Sequence, residues 1–241
     1  MADRISATFT TVRDAARDTG SVPSRAIDGR LPDDLFARTP GPDGTRPLIA
    51  QLGEVAVPFA RGTDPDVVIA HPLHGLLAAQ KLQDRMPVRA LVRNPLAMIA
   101  SMMSVEPKFR AEGLFPRVNE VYPQLAKSLR TLDDIDARRV TTVYHLFSQL
   151  AEAVPIQHVV RLEDLATTGG PALAGWLPGA ETLPIPPPEP PRSCAKDCDT
   201  LITMGWALLD LPGPMWDYYR AQEVADYMRV LADEMGISLP I

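Results

Sequence analysis

The segment from Val88 to Met103, VRALVRNPLAMIASMM, constrains the fold more than any other part of the chain. A short apolar run from Val88 to Val92 stops at Arg93-Asn94-Pro95, and an apolar helical pattern begins at once. Asparagine is a favoured N-cap residue and proline a favoured first helical residue. The pattern therefore predicts a strand that leads directly into a helix, with an arginine at the turn between them.

A turn of this kind suits a bound anion. Unpaired N–H groups at a helix N-terminus attract negative charge, and Arg93 can bind a phosphate through two parallel hydrogen bonds. Ser101, eight positions after Arg93, would offer a hydroxyl group from the helix. The alternative is an arginine that only pairs with a carboxylate, which is common in α/β proteins, and the segment alone leaves both interpretations open.

Strand-like and helix-like segments alternate along the chain, which predicts a parallel sheet flanked by helices. We expect one α/β domain over residues 1–241, since folds of this class often have this length. The predicted strands are Ile5–Val12, Val55–Ala60, Val67–Ala70, Val88–Val92 and Ile156–Val160. The predicted helices are Leu73–Leu82, the segment ending at Met103, Tyr122–Leu132, Arg139–Ala153 and the C-terminal stretch from Val224. Residues 18–48 are expected to be mainly loop, and the proline-rich stretch 183–192 an extended surface loop or a partner-binding segment.

Charge and composition exclude several classes of protein. The net charge of −6 argues against a nucleic-acid binder, which is usually basic. No apolar run approaches the ~18 residues of a membrane span, and the N-terminus has no apolar leader, so we expect a cytoplasmic protein. Cys194 and Cys198 have no second pair and no nearby histidine, which disfavours a zinc site and leaves free thiols or one disulfide. Whether the chain forms a homo-oligomer stays open.

Four segments of the chain follow the same order as the motifs of a known family. They are DVVIAHPLHGLL (Asp66–Leu77), the R-N-P turn and its helix up to Ser101, IQHVVRLEDL (Ile156–Leu165) and the stretch from Val224 to Ile237. Together they resemble the sulfotransferases that use 3′-phosphoadenosine 5′-phosphosulfate (PAPS). The resemblance covers residues 66–178 well and 220–241 loosely. It implies a P-loop-NTPase-like sulfotransferase fold.

The resemblance also implies roles for individual residues. Arg93 and Ser101 would bind the 3′-phosphate of the nucleotide, and Glu163 and Asp164 match an acidic pair that is mainly structural in the family. His71, 22 residues before Arg93, matches the catalytic base. A histidine at the carboxyl edge of a parallel sheet is well placed for that role, because it titrates near neutral pH. The implied reaction transfers a sulfuryl group from PAPS to a hydroxyl group of a small-molecule or carbohydrate acceptor, without a metal.

The N-terminal segment departs from the family. Sulfotransferases place a phosphate loop after the first strand, and here the predicted strand Ile5–Val12 runs into RDAARDTGS. Arg13 stands in place of the loop lysine, and Arg17 is a second cation. Asp14, however, puts negative charge where the phosphosulfate would lie, and Ala15 replaces a glycine. Two functions therefore stay open: a PAPS-dependent sulfotransferase, and a non-catalytic binding or scaffolding protein on the same fold, which the proline-rich segment also favours. The absence of a G-x-x-x-x-G-K-[ST] motif argues against a nucleotide kinase.

Overall fold

The structure, a computed structural model, describes residues 2–32, 34–65, 78–105, 118–119, 122–182, 198–237 and 239. These residues form eight α-helices and four strands. In chain order they are α1 (Ala2–Thr19), β1 (Ser21–Ala26), β2 (Gln51–Ala56), α2 (Ala79–Gln83), β3 (Ala90–Val92), α3 (Pro95–Met103), α4 (Pro123–Arg130), α5 (Ile135–Ala153), β4 (Val159–Arg161), α6 (Leu162–Thr168), α7 (Cys198–Leu209) and α8 (Ala221–Met235).

Strands β3 and β4 are parallel neighbours. Ala90 pairs with Val159, and Val92 pairs with Arg161. This confirms the predicted α/β class and the parallel relation of the segments ending at Val92 and Val160. The predicted strand Val67–Ala70 lies outside the described residues.

The main apolar core lies between this parallel pair and helices α3, α5, α7 and α8. Its largest fully buried side chains include Leu96, Ile99, Phe147, Leu150 and Met204. Gly205 allows the closest approach, because a Cβ atom there would lie 2.5 Å from Met228 Sδ and 3.0 Å from Leu96 Cδ2. The glycine therefore lets α7 pack tightly against α8 and α3.

The first predicted strand is wrong, because Ile5–Val12 lies within helix α1. Ile5, Phe9, Val12 and Ala16 are spaced four, three and four residues apart, which matches one face of a helix as well as the alternation matches a strand. Ile5 packs on Ala78 and Leu82 at the start of α2. The threonine hydroxyls of α1 donate to carbonyl oxygens four residues earlier, which satisfies these polar groups within the helix.

An antiparallel hairpin of β1 and β2 follows α1, with Ser21 paired to Ala56 and Ala26 to Gln51. Residues 18–48 are expected to be mainly loop, and this expectation is wrong at Ser21–Ala26, which form β1. The predicted strand Val55–Ala60 is only half right, because β2 ends at Ala56 and residues Pro58–Ala60 form a 3₁₀ turn.

The other predicted elements agree with the structure to within a few residues where they are described. Helix α5 begins earlier than expected because Asp134 caps it, with its carboxylate accepting from the N–H of Asp136 at 3.0 Å. The predicted strand Ile156–Val160 begins as a 3₁₀ turn and becomes a strand only at Val159. The proline-rich stretch 183–192 lies outside the described residues. None of the described helices has both the length and the apolar character that crossing a bilayer requires.

Candidate functional site

The turn between β3 and α3 lies at the carboxyl end of the parallel pair, where ligands bind in open α/β sheets. Asn94 is the N-cap, as predicted: its Oδ1 accepts from the N–H groups of Leu96 at 3.0 Å and Ala97 at 3.4 Å. Pro95 occupies the first helical position. The cap side chain is itself only 5% exposed, so the turn is held rigidly by the surrounding structure.

The N–H groups of this helix end are not available to a ligand, which corrects the expectation that they are unpaired. Asn94 Oδ1 takes two of them, and the N–H of Met98 donates to the Asn94 carbonyl at 2.9 Å. The N–H of Asn94 donates to Glu163 Oε1 at 2.8 Å. The carboxylate of Glu163 is therefore the anion that the end of α3 attracts.

Glu163 also connects the end of β4 to the C-terminal part of the chain. It lies in the first turn of α6, and its Oε2 accepts the hydroxyl of Tyr219 at 2.9 Å. Tyr219 is only 2% exposed. Burial, together with the negative charge of Glu163, strongly raises the pKa of Tyr219, so the phenol stays protonated and donates. These contacts give Glu163 a structural role, which is what the resemblance implies for it.

Arg161, the last residue of β4, forms an ion pair with Glu223. Its guanidinium carbon lies 4.6 Å from the centre of the Tyr219 ring, and Nη1 reaches the Tyr218 carbonyl at 3.4 Å. Glu223 also accepts from the N–H of Arg220 at 2.8 Å. Burial alone would raise the pKa of Glu223, but the hydrogen bonds from Arg220 and Arg161 outweigh it and lower that pKa. Sequence reasoning missed this ion pair, because its two residues are 62 positions apart and carry no local pattern.

Arg93 contrasts with Arg161. It directly follows Val92, which pairs with Arg161 across the two strands, and its side chain is half-buried. Within the described parts of the chain, the side chain of Arg93 makes no hydrogen bond and no ion pair. The positive charge of Arg93 acts on the phenol of Tyr227 in α8. Burial raises the pKa of Tyr227 to about 12, although the positive charge of Arg93 acts in the opposite direction.

Ser101 lies in the second half of α3 and is half-buried. Ser101 is six positions after Pro95, so it is about 9 Å further along the helix axis. The Ser101 carbonyl accepts from the hydroxyl of Ser104 at 2.8 Å. The structure thus places Arg93 and Ser101 on one turn–helix unit, with no direct contact between them among the described interactions.

Arg13 and Arg17 lie on α1 and not in a loop after a strand. Arg13 Nε lies 3.8 Å from Asp64 Oδ1, and Arg17 Nε lies 2.8 Å from Asp18 Oδ1. Arg17 also reaches Asp14, with Nη2 at 3.3 Å from Oδ1. The pairs of Arg17 lie within α1, and the pair of Arg13 joins α1 to the segment after the Pro58–Ala60 turn. No described interaction joins either arginine to the β3–α3 turn.

His71, the predicted catalytic base, lies outside the described residues, as does Cys194. Cys198 is buried at the start of α7. The described part of the predicted site is therefore the turn that carries Arg93, the helix that carries Ser101, and the residues of β4, α6 and α8 around them.

The described residues fit a nucleotide phosphate in part. The guanidinium group of Arg93, which has no carboxylate partner in the part of the chain that the structure describes, lies at the carboxyl edge of a parallel pair and is suited to a phosphate. The capped N-terminus of α3 supplies no N–H groups to it, and Glu163 adds negative charge on the other side of Asn94.

Comparisons with protein families, with curated proteins and with solved structures find no match to this chain.

Proposed function

We propose that this chain binds the 3′-phosphate of PAPS, and of its product 3′-phosphoadenosine 5′-phosphate (PAP), through Arg93. As the resemblance of its sequence motifs implies, it would transfer a sulfuryl group from PAPS to an acceptor hydroxyl within a sulfotransferase-like fold. The observation that carries the proposal is the half-buried residue Arg93 at the carboxyl end of β3, whose guanidinium has no carboxylate partner among the described residues.

The comparison with Arg161 supports this use of Arg93. Both arginines stand where a strand of the parallel pair ends, but Glu223 neutralises only Arg161. Removing a charged group from water costs free energy unless an opposite charge compensates for it. An anion from outside the chain would supply that compensation for Arg93, and a phosphate matches the guanidinium in shape and charge.

The transfer step depends on His71, which is proposed from the sequence. His71 would accept the proton of the acceptor hydroxyl while the hydroxyl oxygen attacks the sulfur of PAPS and PAP leaves. Ser101 would be a further contact for the 3′-phosphate. Arg13 and Arg17 would have to leave their ion pairs with Asp64, Asp14 and Asp18 to reach a phosphosulfate.

The second candidate function is a non-catalytic binding or scaffolding protein on the same fold. One observation favours it: the segment expected to form the first strand and its phosphate loop is the continuous helix α1. A helix side carries no unpaired backbone N–H groups that could cradle a phosphosulfate.

Calorimetric titration of PAP into wild type and Arg93→Ala tests nucleotide binding. Loss of a charge-assisted contact to the 3′-phosphate should weaken PAP binding by about 1.5–3 kcal/mol, which is tenfold or more. Arg89→Ala is the matched control, because Arg89 is an exposed arginine just before β3. Adenosine 5′-phosphate should bind weakly to all three proteins. Equal affinity of wild type for the two nucleotides would contradict the proposal.

Transfer of labelled sulfate from PAPS to a panel of hydroxyl acceptors separates the two candidate functions. A sulfotransferase should label at least one small-molecule or carbohydrate acceptor. A wild-type protein that binds PAP through Arg93 and labels none of them would favour the non-catalytic function.

A further inference from the structure

Tyr227 of α8 lies near Arg93, close enough for the positive charge of Arg93 to act on its phenol. Helix α8 is joined to this turn because Asn94 Nδ2 donates to the carbonyl of Glu223 at 3.0 Å. Tyr227 follows Glu223 by four residues, so the two lie one above the other on the same face of α8. The next residue, Met228, packs against Gly205 in the core. These contacts hold the part of α8 that carries Tyr227 against the turn after β3 and against the core.

The hydroxyl of Tyr227 is shielded from solvent and has no hydrogen-bond partner among the described residues. Tyr219 has a similar environment on the segment just before α8, but its hydroxyl donates to Glu163. A buried hydroxyl without a partner destabilises the folded chain, because it has lost its hydrogen bonds to water. Tyr227 therefore carries a donor that a ligand oxygen would satisfy.

We propose that the Tyr227 hydroxyl is a second phosphate ligand, donating a hydrogen bond to the same nucleotide phosphate that Arg93 binds. This inference rests on the proposed function and adds a residue from α8 to the site. A terminal phosphate has three oxygens, enough for a bidentate guanidinium and one hydroxyl. Both groups donate, so the pair suits an acceptor-only anion. A tyrosine hydroxyl is protonated at neutral pH and can therefore donate, and burial raises the pKa of Tyr227 further.

Tyr227→Phe and Tyr219→Phe form a matched pair that tests the inference. Tyr227→Phe should weaken PAP binding about tenfold, the usual effect of losing a hydrogen bond to a charged group. Without ligand, its melting temperature should equal or exceed that of wild type, because an unpartnered hydroxyl is removed. Tyr219→Phe should lower the ligand-free melting temperature, because it breaks the hydrogen bond to Glu163.

The outcomes separate this inference from the proposed function. If Arg93→Ala loses PAP while Tyr227→Phe binds it as wild type does, the inference is overturned and the proposed function stands. If Tyr227→Phe lowers the ligand-free melting temperature as much as Tyr219→Phe does, the hydroxyl already has a partner and the inference is overturned. If wild type binds inorganic phosphate but not PAP, and both Arg93 and Tyr227 are needed, the proposed function and the nucleotide are overturned, while the shared phosphate site of Arg93 and Tyr227 stands. A wild-type protein that binds neither overturns both.

Discussion

Helices α3, α5, α7 and α8 bury large side chains around β3 and β4, whereas the described residues from 2 to 65 bury small ones. We call the first set the C-terminal core and the second the N-terminal region. The buried apolar residues of the N-terminal region, within 2–32 and 34–65, are Ala16, Ala26, Ala50, Val55 and Ala60. Several of its large apolar side chains are exposed, among them Leu31, Ile49, Leu52 and Phe59.

The two regions are consequently held together by different interactions. Burial of apolar surface contributes roughly 25 cal/mol per Å², so the C-terminal core gains most of its stability from packing. The N-terminal region relies more on polar contacts at its surface, such as the ion pair between Asp3 and Arg85 and the hydrogen bond from Ser21 Oγ to Glu54 at 3.0 Å. Contacts of this kind stabilise a protein only weakly. The proposed phosphate site lies on the more strongly packed of the two regions.

The largest difference in the loss of stability between the two regions should appear when one phenylalanine in each is replaced by alanine. Phe147 is 2% exposed and packs in the C-terminal core, whereas Phe59 is 81% exposed. Phe147→Ala should lower the free energy of unfolding by about 3–5 kcal/mol, because it leaves a cavity and loses apolar burial. Phe59→Ala should change it by no more than about 0.5 kcal/mol. Urea unfolding of both variants measures the difference, and equal losses would refute the contrast between the regions.

The contrast also explains which features could be predicted from the sequence. The β3–α3 unit has a local signal, since an Asn-Pro pair between an apolar run and a helical pattern specifies both the turn and the cap. Helix α1 was predicted wrongly because its apolar residues fit alternation and a helical face equally well, and only its packing on α2 decides between them. The bonds of Glu163 to Asn94 and Tyr219 join residues 69 and 56 positions apart, and no local pattern encodes such contacts.

Substitution of Glu163, which joins parts of the C-terminal core, should have an intermediate effect on the free energy of unfolding. Glu163→Ala should lower the free energy of unfolding by about 2–4 kcal/mol, because the N–H of Asn94 and the hydroxyl of Tyr219 lose their acceptor in a buried place. Glu163→Gln should recover part of the loss, since its amide oxygen still accepts from Asn94. In the N-terminal region, Glu54→Ala removes the acceptor of the exposed Ser21 hydroxyl and should cost no more than about 0.5 kcal/mol. Chemical unfolding of the three variants ranks them. A Glu163→Ala protein as stable as Glu54→Ala would show that this carboxylate does not hold the turn.

The smallest effect on the free energy of unfolding is expected when one ion-paired carboxylate in each region is neutralised, and this effect depends on pH. The pKa of Glu223 is lowered, because hydrogen bonds from Arg220 and Arg161 outweigh the opposite effect of burial. The pKa of Asp3 is also lowered, because Arg85 pairs with it. Because its folded-state pKa is lowered, each carboxylate stabilises the fold at pH values above its ordinary pKa, which is about 4.5 for glutamate. This stabilisation disappears as the pH falls through the folded-state pKa. Wild type should therefore exceed Glu223→Gln in stability by about 0.5–1 kcal/mol at pH 7, with the partial exposure of Glu223 limiting the effect, and the two should converge well below pH 4.5. Asp3→Asn should show the same sign with a smaller difference, because salt and water screen its fully exposed ion pair. Unfolding free energies measured from pH 7 down to about pH 3 test both. A difference between wild type and Glu223→Gln that grows toward low pH would reverse the sign and refute the ion pair with Arg161.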